Sequence, residues 1–84
     1  MHTETRLSSL MEGDSCLIAE LLASGRLRSR LRGLGFIEGA RAECLHRSAS
    51  GDLAAYLVCG AVIALRRRDA DDIIIRNAEF GMRN

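Results

Sequence analysis

Residues 25–40, GRLRSRLRGLGFIEGA, decide how the chain reads. Arginines stand at 26, 28, 30 and 32, interleaved with Leu27, Leu31 and Leu34. As a strand, the stretch would put all four arginines on one face and strand Leu34 among them. As a helix at about 100° per residue, it gathers the three leucines into an arc of roughly 60°. Gly35 follows the last leucine, where a helix stops in the left-handed region, and Ser24 stands where a capping hydroxyl belongs. The helix is therefore the better reading. It places Arg28 and Arg32 on one flank and Arg26 and Arg30 on the other, so the row of arginines in the sequence is no single basic face.

The chain on either side of this helix reads as short strands. Arg6–Ser15 is a lead-in that turns at Glu12-Gly13-Asp14, and SCLIAELLA (15–23) is a short apolar element. Beyond Phe36–Gly39, ARAECLHR (40–47) alternates in the manner of a half-buried strand. SASGD (48–52) is a loop by composition, followed by a strand from Leu53 to Cys59. Gly60-Ala61 reads as a tight turn and Val62–Leu65 as its return partner. RRRDADD (66–72) suits one helical turn, with Asp69, Asp71 and Asp72 balancing Arg66–Arg68. Ile73–Ile75 suits a closing strand. The expected fold is mainly β: five short strands in a small, partly open barrel, one helix after the first strand and a helical turn before the last. Residues 7–76 form the core of a single domain spanning 1–84, and 77–84 form a tail in which Phe80 is the residue suited to dock.

Composition narrows the function. Eighty-four residues with 48% hydrophobic content make one small globular domain, too small for a deep catalytic cleft. Twelve basic residues, every one arginine, face 11 acidic ones for a net charge of +1, which raises no long-range field for nucleic acid. The longest uncharged run, residues 53–65, falls short of the roughly 20 residues of a membrane helix. With no signal-like segment and three cysteines that cannot all pair, the expectation is a cytoplasmic protein with free thiols.

No catalytic constellation is visible, and GRLRSRLRGLG lacks the spacing and the lysine of a phosphate loop. Cys44 and His46, two apart on a strand, point the same way, yet a structural zinc site wants four ligands and no other pair supplies them. The expectation is no metal and no cofactor.

At this point the order of motifs closely resembles the FeoA family of bacterial ferrous iron uptake. The matching pieces are Leu7–Asp14, Arg26–Gly39, Gly51-Asp52 and Ile63–Arg67, spread over about residues 7–76. The chain departs where the family often has proline, at Glu38 before Gly39 and at Leu53 after Gly51-Asp52. The resemblance implies an SH3-like five-stranded barrel, similar to the C-terminal domain of DtxR-type repressors. It also implies a non-enzymatic adaptor that binds FeoB, a membrane iron permease with its own GTPase domain, and so reaches the membrane's inner face through that partner. Arg26, Arg28, Arg32, Gly51 and Asp52 are the expected partner contacts, and a sharper version has Arg28 or Arg32 reaching the partner's nucleotide. Open barrel edges leave weak self-association as a further expectation. The rival class is a small-barrel nucleic-acid-binding or repressor-like regulatory domain. Only Tyr56, Phe36 and Phe80 offer the aromatic faces that such barrels stack on bases, and no helix-turn-helix precedes the barrel.

Overall fold

The computed structural model describes residues 5–77. In order it has β1 (Thr5–Arg6), a 3-10 turn (Leu7–Ser9), β2 (Ser15–Leu21), α1 (Gly25–Leu34), β3 (Arg41–Arg47), β4 (Leu53–Val58), β5 (Ala61–Arg66), α2 (Arg67–Ala70) and β6 (Ile73–Asn77). The strands form one antiparallel sheet in the order β1-β6-β2-β3-β4-β5. The expected mainly-β architecture, with a helix early and a helical turn late, is present. Among the described residues there are six strands rather than five. The extra one, β1, pairs Thr5 with Ile75 and Arg6 with Ile74, and two residues are too few for alternation to show in a sequence. Phe80 lies outside the described residues.

Helix α1 forms where the leucine arc put it. Leu31 is fully buried, and Leu27 and Leu34 pack against the core from its margin. The expected serine cap is absent: Ser24 is extended, with no side-chain hydrogen bond. Gly25 begins the helix at φ +60° rather than at a helical φ. The other end closes as predicted. Gly35 is left-handed at φ 111°, its N–H bonds the Arg32 carbonyl at 3.0 Å, and the Phe36 N–H bonds the Leu31 carbonyl at 3.0 Å. That pair of bonds is a Schellman stop, and the two residues bracketing it, Leu31 and Phe36, are both fully buried.

Two bulges set which side chains face inward. In β2 the register shifts between Ile18 and Glu20, so Cys16, Ile18 and then Leu21 point into the core. In β3 it shifts between Cys44 and His46. Ala42 and Cys44 are buried, Leu45 and His46 are exposed, and Arg47 turns inward instead. Its guanidinium donates to the carbonyls of Ser8 (2.8 Å) and Leu10 (2.9 Å), fastening the 3-10 turn across the barrel mouth. Tyr56, 1% exposed, donates from its hydroxyl to the Leu7 carbonyl at 3.4 Å, and burial pushes its pKa up to about 12.

The hairpin turn between β4 and β5 falls one residue earlier than expected, at Cys59-Gly60. Both have positive φ, 50° and 80°, the pair that matches the twist of its strands. Cysteine at such a position was no turn signal in the sequence.

Candidate protein-docking surface

The arginines of α1 divide as the helical angles required. On one flank Arg32 Nη1 meets Glu38 Oε1 at 3.0 Å, and Arg28 Nη2 approaches Glu38 Oε2 at 4.0 Å. Arg28 also donates to the Leu21 carbonyl at 3.1 Å. Glu38 is exposed, and its own backbone N–H, then the Arg32 guanidinium, hold its carboxyl below the usual range. On the other flank Arg26 and Arg30 are exposed, and neither has a side-chain partner among the described residues. Reaching a partner's nucleotide would require Arg28 or Arg32 to give up these contacts first.

Gly51 and Asp52 lie elsewhere. Their loop is braced by Ser48, whose hydroxyl accepts from the Leu53 N–H at 3.1 Å, and by Ser50, whose hydroxyl donates to Asp52 at 3.1 Å. Gly51 supplies the turn at φ +82°. The loop enters β4 at Leu53, whereas α1 ends against Cys59, just past Val58 at the far end of that strand. Six strand residues span about 17 Å. The expected contact residues therefore form two patches, not one.

Beside the second patch lies a groove that the sequence reading missed. Asp52, Leu53, Arg66, Arg67, Arg68 and Asp71 line a cavity of about 540 Å³. In the sequence Asp69, Asp71 and Asp72 balance this arginine run, but direct pairing does not make that balance. None of the three guanidinium groups has an ion pair or hydrogen bond among the described residues. Asp71 instead accepts a hydrogen bond from the Ser8 hydroxyl, and its carbonyl accepts from Arg6 at 2.8 Å. The lead-in competes for the carboxylate, and nothing local in the sequence records that.

Cys44 and His46 do not converge. The β3 bulge buries the thiol and leaves the imidazole outside, 3.4 Å from Glu12. Among the described residues no three His, Cys, Asp or Glu side chains gather as metal ligands. Burial raises the pKa of Cys16 to about 11 and also raises that of Cys44, the opposite of what a reactive thiolate needs. No described helix is long and apolar enough to cross a membrane.

The family model for the FeoA domain matches residues 5–77. The chain belongs to the FeoA family. No curated protein sequence gave a match. Among solved structures, the FeoA protein of Chlorobium tepidum superposes with a TM-score of 0.83 at 28% identity, over 88% of this chain and 70% of that one. Iron(II) transport protein A of Clostridium thermocellum gives 0.84 at 32% identity over 88% of this chain, which spans 46% of that protein. The zinc-complexed FeoA of Stenotrophomonas maltophilia, an SH3 domain protein described as a candidate ferrous iron transport activating factor, gives 0.75 at 24% identity over 84% and 88%. The FeoA barrel is thus SH3-like, as the sequence resemblance implied. Within this FeoA chain, β1 falls inside the residues that the family model matches.

Proposed function

We propose that this chain is a non-enzymatic accessory protein of bacterial ferrous iron uptake, working in the cytoplasm by binding the cytosolic side of a FeoB-type GTPase-permease. The observation that carries the reading is the family match over residues 5–77, nearly the whole chain. The surface chemistry supports it. Arginine is the side chain most often found at the energetic centres of interfaces, and here it is placed outward on two rigid corners of a packed barrel. Among the described residues Arg26 has no side-chain partner, so contact with an acidic patch would release no bond there. Arg28 and Arg32 would trade Glu38 for a partner carboxylate, an exchange that favours specificity over affinity. Gly51-Asp52 is the second expected contact.

A metal site is no part of the proposal, although one relative carries zinc. Cys44 and His46 point apart, and a barrel cannot turn both inward without undoing the β3 bulge.

The test is co-purification with the cytosolic domain of the transporter, nucleotide-free and with GDP or a GTP analogue. Retention in at least one state, reduced in Arg26→Ala/Arg28→Ala, is the expected outcome. No retention in any state would refute the reading.

A further inference from the structure

We propose that the groove between the β3–β4 loop and α2 docks an acidic peptide segment carrying one apolar side chain. Three consecutive arginines share one cavity. Neither a strand, at 180° per residue, nor a helix, at about 100°, points three successive side chains to one side. At this corner the chain changes from one to the other. Arg66 ends β5 in extended conformation (φ −73°, ψ 152°) and Arg67 begins α2. The change of period brings Arg66, Arg67 and Arg68 to the same groove.

The floor is apolar. Leu53, the first residue of β4, pairs across the sheet with Arg66 and remains 47% exposed. The walls are tied down: the Arg67 N–H donates to the Asp52 carbonyl at 2.8 Å, and Asp71 is held by Ser8 and Arg6. A preorganised wall lowers the ordering cost of binding.

Charge and shape select the occupant. Guanidinium forks match carboxylates in a planar, two-bond geometry, and none of the three here has a partner among the described residues. Leu53 offers a side chain of the ligand an apolar seat. Among the described residues a nucleotide base would find no aromatic face, since Tyr56 and Phe36 are buried in the core. A flat anionic membrane would meet Asp52 and Asp71 at the same groove, whereas a peptide can offer these carboxylates its own N–H groups. The inference deepens the reading above and rests on it only in taking the occupant to be a protein.

The probe is a fluorescein-labelled pentapeptide with one leucine between two pairs of glutamates, followed by fluorescence anisotropy. A saturable rise is expected, weakened about tenfold in Arg66→Ala/Arg68→Ala and unchanged in Arg30→Ala. Both variants lie on exposed positions, and a thermal melt checks that each is folded. Replacing the peptide's leucine by serine, or Leu53→Ser in the protein, is expected to weaken binding about fivefold. The proposal is overturned by no saturable rise below about 1 mM, by equal binding to Arg66→Ala/Arg68→Ala, or by equal binding of the serine peptide. It is also overturned, in favour of a lipid surface, if phosphatidylglycerol vesicles bind the protein through Arg66 and Arg68 and the peptide does not compete. Peptide binding without transporter binding would sink the transporter reading alone; transporter binding without peptide binding would sink the groove alone.

Discussion

Replacing Gly35 by alanine tests the joint on which the helix rests. Gly35 is left-handed at φ 111°, a conformation costing an L-residue about 1–2 kcal/mol. A Cβ there would also stand 3.0 Å from Cys59 Sγ and 3.1 Å from Cys59 Cβ. The sulfur can swing away, but the Cβ is fixed to a hairpin turn that is itself left-handed, so the turn must yield. That crowding adds about 1 kcal/mol. The expected destabilisation is about 2–3 kcal/mol, which in a domain of this size lowers Tm by about 10–20 °C. Circular dichroism melting of Gly35→Ala beside wild type measures it. Cys59→Gly removes both crowding atoms, so a double-mutant cycle separates the contact from the backbone strain. The coupling should recover about 1 kcal/mol, leaving the rest as strain. Gly33→Ala is the control: it lies within α1 with nothing within 4 Å of a new Cβ, and it should stabilise by about 0.5–1 kcal/mol. A Gly35→Ala variant as stable as wild type would refute the reasoning, because neither the strain nor the crowding would then exist.

Leu31→Ala removes the helix's one fully buried leucine and should cost about 3 kcal/mol by urea unfolding. A loss under about 1 kcal/mol would mean that α1 is not pressed on the barrel. Glu38→Gln reports on the paired flank through pH. The folded-state pKa of Glu38 lies below its unfolded value, so its stabilisation is fully present above the ordinary carboxylate range near 4.5 and is lost as pH falls through the folded pKa. The Tm gap between wild type and Glu38→Gln should therefore be open at neutral pH, close in acid and shrink with added salt; a gap insensitive to pH would contradict the pairing.

How far the sequence could be read follows from where the physics is local. Leu27, Leu31 and Leu34 announce their helix because a period of 3.6 needs no distant information. Gly35 marks its end for the same reason. The bulge after Cys44 is different. It inserts one residue into an alternation, and the only clue is that Arg47 must find acceptors on the 3-10 turn, 37 and 39 positions away in the chain. That long-range bond sends the histidine outward and parts it from Cys44. The groove was hidden likewise. Arg66–Arg68 and their aspartates look balanced in sequence, and only folding gives Asp71 to Ser8 from the far end of the chain. Of the expected contact residues, Arg26, Arg32 and Asp52 are exposed and Arg28 and Gly51 half-buried, and the length of β4 holds the α1 set and the loop apart.

The most direct measurement is a ¹⁵N–¹H spectrum of labelled protein titrated with the unlabelled cytosolic domain of the transporter. The account predicts saturable shifts or broadening concentrated at Arg26–Arg32, Gly51–Leu53 and Arg66–Arg68, with the barrel interior around Ile18 and Tyr56 unmoved. A spectrum unchanged at saturating partner, or changes confined to residues outside these three segments, would contradict it.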